Sequence, residues 1–345
     1  MKVAAVFTDG TAGLVDRPTP EPFEDRVLVK IMATPICTEY KGFKAGQKLA
    51  EEIVGFGHES VGEVVAVAQP GCVKVGDRVV LQWGSGCGRC AMCLIGETLH
   101  CQNPEPEPGG SDGGNESKTF GDYAQYTLKQ DWMCLPIADG VSYEHAGMAL
   151  CGLGPTFGAM QQMQVEALDT VLITGLGPVG LGGVINAHYR NARVIGVESQ
   201  SYRANLAKEL GAEIVLDPND ENVLEKIMDL TDGMGIDKAV DCSGSSKAQR
   251  LMVDALRSKG QGTFVGAGGD FSLDTSRDMV YRGLVLRGNW GYSLGWYPKL
   301  AKIIQDSPDQ LDKLITHTFP LSEVQKAWKL QATGNCGKIV LHPWE

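Results

Sequence analysis

The spacing of four cysteines constrains this chain more than any other feature of its sequence. They follow the pattern C-x2-C-x2-C-x7-C at Cys87, Cys90, Cys93 and Cys101. Four thiolates in this pattern can surround one tetrahedral Zn²⁺ ion, which then has no coordination position open to water or substrate. We therefore expect a structural zinc in a lobe of about residues 84–118, and chemistry must be sought elsewhere in the chain.

Disulfides are an alternative for the same cysteines, and a nucleic-acid-binding zinc ribbon is another. The chain begins MKVAAVFTDG without an apolar signal segment, so we expect a cytoplasmic protein whose thiols stay reduced. The net charge of −11 and the pI near 5.1 argue against a nucleic-acid partner, because phosphate binding needs a basic surface. No apolar run approaches the ~20 residues that span a bilayer, so no membrane partner is expected.

The length of 345 residues favours two domains, because single cores seldom grow past about 250–300 residues. The pattern of the sequence changes near residue 150. Before that point, short β-rich runs alternate with turns, which is typical of a small domain of hairpins. The predicted strands there are Val27–Ala33, Ser60–Ala68, Asp77–Leu81 and Asp122–Leu128.

After residue 150, apolar strands alternate with helical segments. This order predicts an α/β fold with a parallel, doubly wound sheet that carries helices on both faces. The chain then returns to short strands and ends in Lys338–His342. The predicted strands are Thr170–Thr174, Arg193–Val197, Glu213–Leu216, Lys238–Asp241, Gly262–Val265 and Leu284–Arg287, and the predicted helices are Val179–Arg190, Tyr202–Leu210, Val223–Leu230 and Lys247–Arg257.

A glycine motif connects the first of these strands to the first helix. A G-x-G-x-x-G run is a weak signal in a chain with 44 glycines, but its place between strand and helix favours dinucleotide binding. Glu198 ends the second strand, where a carboxylate binds ribose hydroxyls and repels a 2′-phosphate, so NAD is favoured over NADP. Arg203 complicates this preference, because its guanidinium could lie near the adenosine ribose and bind the 2′-phosphate of NADP. The alternative is a glycine-rich turn that only packs a helix on a sheet. The predicted loop residues are Gly175, Gly177, Pro178, Val179 and Gly180.

Three further residues have the composition of a catalytic zinc site. They are Cys37, His58 in the run Gly-His-Glu, and Cys151 where the two halves of the chain meet. Three protein ligands leave the fourth position for water or a substrate oxygen. Taken singly, a buried cysteine is more often a small apolar residue and a lone histidine a structural one.

Together these motifs resemble the medium-chain, zinc-dependent alcohol dehydrogenase family over essentially the whole chain. The resemblance rests on both cysteine groups, the Gly-His-Glu run, the glycine loop, Gly71, the run Val75–Val79 and Asp241-Cys242-Ser243-Gly244. It implies a GroES-like catalytic domain (residues 1–152 and 290–345) and a Rossmann domain (residues 153–289) that binds NAD(P). It also implies two zinc ions per chain and a homodimer or homotetramer.

The resemblance also implies roles for single residues. Cys37, His58 and Cys151 would hold the catalytic zinc, with Glu59 close behind or exchanging onto the metal. The zinc would lower the pKa of an alcohol so that its alkoxide passes hydride to the nicotinamide. Cys242 and Gly266 join the predicted cofactor-binding residues.

The proton relay departs from the family pattern. Most members have a hydroxyl two residues after the first cysteine ligand, whereas this chain reads Cys37-Thr38-Glu39-Tyr40. We expect Thr38 to be the relay, and Glu39 or Tyr40 are the alternatives.

The substrate is only partly indicated by the sequence. Trp83 matches a position that lines the substrate pocket in the family, and Trp290 is a second candidate, although both are also explained as packing residues. We expect a secondary alcohol, polyol or sugar-derived alcohol or its carbonyl, with primary alcohols as the alternative. A non-catalytic nucleotide-binding regulator is disfavoured, because all three predicted ligands of the open zinc are present. A zinc-free reductase of the same superfamily is a further alternative, and a measurement of two zinc ions per chain would exclude it.

Overall fold

The computed structural model describes residues 1–38, 52, 55–84, 86–104 and 121–345. Within them the chain forms two compact units. The first unit contains Met1–Cys151, Ser293–Pro308 and Ile315–Glu345, and the second contains Gly152–Tyr292 and Asp309–Leu314. No helix in these residues is long and apolar enough to cross a membrane.

The strands are β1 Lys2–Val6, β2 Ala12–Asp16, β3 Arg26–Pro35, β4 Ser60–Ala66, β5 Arg78–Leu81, β6 Tyr126–Gln130, β7 Cys134–Pro136, β8 Thr170–Thr174, β9 Arg193–Val197, β10 Ile214–Leu216, β11 Ile236–Asp241, β12 Leu256–Phe264, β13 Val285–Gly288, β14 Ile315–Pro320 and β15 Lys338–His342. The helices are α1 Ala91–Leu94, α2 Tyr143–Gly147, α3 Gly154–Met163, α4 Pro178–Tyr189, α5 Ser201–Leu210, α6 Val223–Asp229, α7 Ser246–Ala255, α8 Tyr297–Asp306, α9 Pro308–Leu314 and α10 Val324–Thr333.

The first unit is built around β3. Its sequence RVLVKIMATP is rich in apolar and β-branched residues, which suits a buried strand. It lies in a seven-stranded sheet of order β14-β15-β3-β4-β5-β7, and β6 also pairs with it. Alternate residues of β3 and β5, including Val27, Val29, Val79 and Leu81, face one apolar cluster. A second cluster surrounds the buried Trp328 of α10.

The second unit contains a six-stranded sheet of order β10-β9-β8-β11-β12-β13. All of its strand pairs are parallel. In chain order this is 3-2-1-4-5-6, the doubly wound arrangement in which ligands bind where the order reverses, between β8 and β11. The predicted fold class, a GroES-like β-rich domain with a parallel Rossmann domain, is confirmed.

Element boundaries show where sequence patterns were misleading. The strand predicted at Asp122–Leu128 is wrong, because β6 covers Tyr126–Gln130. The residues before β6 make other contacts. Ala124 forms an isolated β-bridge with Val3, and the Asp122 carboxylate accepts a hydrogen bond from Ser60 Oγ. β12 begins at Leu256 rather than Gly262. Leu256 pairs with Ile236 of β11, the register then shifts, and regular pairing with β11 and β13 resumes at Gln261.

Candidate zinc centres and dinucleotide site

The pairing of β3 with β4 brings two predicted ligands together. The strands are antiparallel, with Ala33 opposite Val61, so the end of one lies beside the start of the other. Cys37 follows β3, and His58 and Glu59 immediately precede β4. The Thr34 hydroxyl donates a hydrogen bond to the Glu59 carbonyl oxygen at 2.5 Å, which fixes the two strand ends to each other.

Cys151 reaches the same place through an irregular turn. After α2 the chain forms a π-type turn over Met148–Gly152, in which Leu150 leaves helical geometry (φ −80°, ψ −131°). The turn is buried. The Cys151 Sγ atom lies 3.3 Å from Nε2 of His58.

Four donor groups therefore converge in the first unit. The ligand atoms of Cys37, His58, Glu59 and Cys151 all lie within 4.8 Å of one another. Two sulfurs, an imidazole nitrogen and a carboxylate form a donor set that suits zinc. The Oε2 atom of Glu59 is buried and has no hydrogen-bond partner among the described residues. By its chemistry this set fits a zinc ion.

A buried lysine forms an ion pair with one of these donors, Glu59. The Nζ atom of Lys338, the first residue of β15, is 2.7 Å from Oε1 of Glu59, and both side chains are buried. Burial raises the pKa of Glu59 to about 7, against the opposing effect of Lys338. Burial opposes the charge on Lys338, but Glu59 and the two cysteines raise its pKa overall. Lys338 was not among the predicted site residues, and a lysine in the otherwise apolar strand KIVLH is the signal in the sequence that indicates it.

The thiol groups of Cys37 and Cys151 are hydrogen-bonded to each other. A hydrogen bond from the Cys151 thiol holds the pKa of Cys37 well below its usual value. The same bond, followed by burial, raises the pKa of Cys151. Of the two sulfurs, Cys37 is therefore the one more readily deprotonated, and a cation that binds both must displace the thiol protons.

The sulfur atoms of Cys87, Cys90, Cys93 and Cys101 also lie within 4.8 Å of one another. The Sγ atoms of Cys90 and Cys101 are 3.8 Å apart, too far for a disulfide. Backbone N–H groups, that of Cys93 first, lower the pKa of Cys90 to about 6, whereas burial raises the pKa of Cys93 to about 12. These four sulfurs fit a closed zinc site; residues 85 and 105–118 of the predicted lobe lie outside the described residues.

In the second unit, the glycine loop follows β8 and leads into α4. Gly175 has φ +80°, and a Cβ there would lie 2.7 Å from Cβ of Ser243, so this position requires glycine. A Cβ on Gly180 would lie 2.0 Å from the Gly175 carbonyl oxygen. Gly177 is the N-cap of α4 and Pro178 its first residue, with Val179 next. The free N–H groups at this helix start suit a pyrophosphate.

Glu198 and Arg203 both lie beside this loop. One carboxylate oxygen of Glu198 accepts the Leu176 N–H at 2.8 Å, and the other accepts the Gln200 N–H at 2.9 Å. The Arg203 guanidinium is 3.9 Å from the place of a Cβ on Gly177. The carboxylate is therefore held at the end of β9, where a ribose is expected.

The loops after β11 and β12 close against the glycine loop. The Cβ atom of Cys242 lies 3.5 Å from the place of a Cβ on Gly180, and a Cβ on Gly266 would lie 2.3 Å from the Gly244 nitrogen. Burial raises the pKa of Cys242, so its thiol stays neutral. Both residues lie at the edge of the sheet where a dinucleotide is expected.

The remaining predicted residues are placed as follows. Thr38 is exposed and adjacent to Cys37, whereas the alternative relays at 39 and 40 lie outside the described residues. The Trp83 ring centroid is 5.9 Å from that of His58. Trp290 belongs to the second unit and is 56% exposed.

Known proteins resemble this chain over most of its length. Residues 24–139 match the alcohol dehydrogenase GroES-like domain, and residues 178–306 match the zinc-binding dehydrogenase family. The chain is 32% identical to YphC, an uncharacterised zinc-type alcohol dehydrogenase-like protein of Escherichia coli, with 99% of this chain and 98% of that protein covered. It is 31% identical to L-threonine 3-dehydrogenase of Pyrococcus furiosus, with 95% and 94% covered.

The solved structure of the alcohol dehydrogenase TADH from Thermus sp. ATN1 shares the fold. Its TM-score is 0.88, with 21% identity and 99% of each chain covered. The matched domains, the relatives and the fold extend over the same parts of the chain as the sequence motifs. The chain therefore belongs to the zinc-dependent alcohol dehydrogenase family of the medium-chain dehydrogenases and reductases, and is an oxidoreductase of that family.

Proposed function

We propose that this protein transfers hydride between a secondary alcohol, which includes polyols and sugar-derived alcohols, and NAD at a zinc held by Cys37, His58 and Cys151. The observation that carries the proposal is the convergence of these three donors and Glu59 within 4.8 Å of one another. The closed four-cysteine site would hold a second, structural zinc. Two zinc ions per chain are expected.

Each bound group would supply one part of the chemistry. Zinc supplies a Lewis acid that lowers the pKa of the substrate hydroxyl, and NAD supplies the hydride acceptor. The protein's residues supply binding and orientation. The Lys338 ammonium donates a hydrogen bond to one oxygen of Glu59 at 2.7 Å. The other oxygen of this carboxylate is left for a metal ion. The exposed hydroxyl of Thr38 is proposed to pass the released proton to solvent.

The secondary-alcohol class is supported by the relatives and by Trp83. Several similar proteins are L-threonine 3-dehydrogenases, named for oxidation at a carbon that bears a secondary hydroxyl. The indole of Trp83 lies beside His58, where it would wall one side of the substrate and leave room for a compact branched alcohol.

A substrate screen tests the proposed function directly. We expect NADH formation, followed by absorbance, with secondary alcohols such as L-threonine, vicinal diols or cyclic polyols. Their kcat/KM should exceed that of primary alcohols at least about tenfold, which corresponds to about 1.4 kcal/mol. The screen uses zinc-replete protein, with NAD and NADP in parallel. No turnover with any alcohol would contradict the dehydrogenase assignment, and faster turnover of primary alcohols would contradict the substrate class.

The two metal sites should respond differently to loss of one cysteine. Cys37→Ala should lose one zinc and reduce turnover at least about a thousandfold, with Tm close to wild type, because the Lewis acid supplies several kcal/mol. Cys93→Ala should lose the other zinc and lower Tm, because structural zinc contributes folding energy. Metal analysis, Tm and turnover of both variants give the answer. An unchanged zinc count and Tm in Cys93→Ala would show that the lobe holds no metal.

Glu198 is proposed to set the preference for NAD. Glu198→Gln keeps an acceptor for the Leu176 N–H but removes the charge that repels a 2′-phosphate. We expect the ratio of kcat/KM for NAD to that for NADP to fall at least about tenfold. Glu221→Gln, an exposed substitution in the same unit, is the control. A ratio that stays at the wild-type value would assign the preference to other residues.

A homodimer or homotetramer that uses the outer strand of the second unit is also proposed. β13 is the last strand of its sheet, and Val285, Val280 and Tyr281 at or before it are exposed. Light scattering should give twice or four times the chain mass of 37.0 kDa. Val285→Lys should yield monomer, because a charged edge opposes strand pairing, whereas Val75→Lys in the first unit should not. A monomeric wild type would overturn the proposal.

A further inference from the structure

The backbone that follows Cys151 is held by the helix of the glycine loop. Asn186, on α4, is fully buried. Its side-chain amide donates one hydrogen bond to the Leu153 carbonyl oxygen at 2.9 Å and another to the Thr156 hydroxyl at 2.9 Å. The Thr156 hydroxyl itself donates to the Leu153 carbonyl at 3.0 Å. These bonds form a closed triangle two residues beyond the predicted zinc ligand.

A second contact fixes the same segment. A Cβ on Gly182 of α4 would lie 1.9 Å from the Gly152 carbonyl oxygen, so the helix lies directly against the residue after Cys151. Asn186 is one helical turn further along α4. The two positions therefore hold two consecutive carbonyl groups, those of Gly152 and Leu153, against one face of the helix.

The segment needs external support. Leu150 departs from helical geometry with ψ −131° immediately before Cys151, and the following sequence Gly152-Leu153-Gly154 has two glycines that restrict the backbone little. On the C-terminal side of the turn, Asn186 and Gly182 of α4 contact the carbonyl groups of the first two residues after Cys151.

We infer that Asn186 is a positioning residue for Cys151: through the Leu153 carbonyl it fixes the turn that aims this sulfur at the metal. The inference rests on the proposed function, because it takes Cys151 as a zinc ligand. The signal in the sequence is an asparagine in the apolar helix run VGLGGVINAHY.

Substitution of Asn186 tests this role. Asn186→Leu removes both hydrogen bonds at similar side-chain volume. We expect zinc to leave the Cys37-dependent site about tenfold faster in the presence of a chelator, the lower end of the range for groups that orient metal ligands. We also expect altered d–d and sulfur-to-cobalt bands after Co²⁺ substitution. Cys37→Ala protein provides the blank, since only the four-cysteine site can contribute there.

Two further variants make the result specific. Ile185→Val, at a buried neighbour on the same helix, perturbs packing without a hydrogen bond and should keep the wild-type cobalt spectrum and zinc release. Gly182→Ala should reproduce the Asn186→Leu changes, because its Cβ pushes the Gly152 carbonyl, and it carries the test if Asn186→Leu does not fold.

The outcomes separate this inference from the proposed function. A lower Tm with unchanged cobalt spectrum and zinc release in both variants would make Asn186 a structural residue only and overturn the inference. If wild-type protein takes up no metal beyond that of the Cys37→Ala blank, the zinc site and the proposed function fail together with it.

Discussion

The acidic groups of the partly buried Cys37 and of the buried Glu59 and Cys151 are the constraint on which the first unit depends. Three acidic groups lie within 4.8 Å of one another together with His58, and unpaired buried charges are costly in a protein interior. Lys338 supplies one positive charge at 2.7 Å from Glu59. With Cys37 and Cys151 as thiolates, a divalent cation is needed to bring the sum to zero. The pairing of β15 with β3 therefore sets the sheet order and also brings the positive charge of Lys338 to Glu59.

The parts that could be predicted from the sequence are those where local pattern and structure coincide. β8, β9 and β15 were predicted with their observed limits, because each is a short apolar run bounded by turns or polar residues. The four-cysteine site is local in the chain and needs no knowledge of the fold. Lys338 is different: it lies 279 residues from its partner Glu59, and a pairing this remote depends on sheet order, which no local pattern indicates.

The two units differ in how far their sequences indicate their sites. In the second unit, parallel strands place the loops after β8, β11 and β12 at one sheet edge, so a motif after one strand locates the whole site. In the first unit, the donors come from a strand end, a strand start and an irregular turn. Only the antiparallel register of β3 and β4 and the non-helical Leu150 bring them together, and neither follows from periodicity. A resemblance across the whole chain was therefore needed to choose Cys37, His58 and Cys151 from ten cysteines and six histidines.

The contrast between the two cysteine groups explains why one suits structure and the other chemistry. Four thiolates carry more negative charge than one Zn²⁺ can neutralise, so a zinc ion in such a site would be a weak Lewis acid toward an oxygen ligand. Backbone N–H groups, such as that of Gln102 to Cys90 Sγ at 3.4 Å, partly compensate for this excess. At Cys37, His58 and Cys151, the two thiolates would balance the charge of a Zn²⁺ ion without exceeding it, because the imidazole is neutral. Lys338 offsets the negative charge of the Glu59 carboxylate. The lysine would thereby keep the carboxylate, the third anionic donor of this group, from weakening the Lewis acidity that alcohol activation needs.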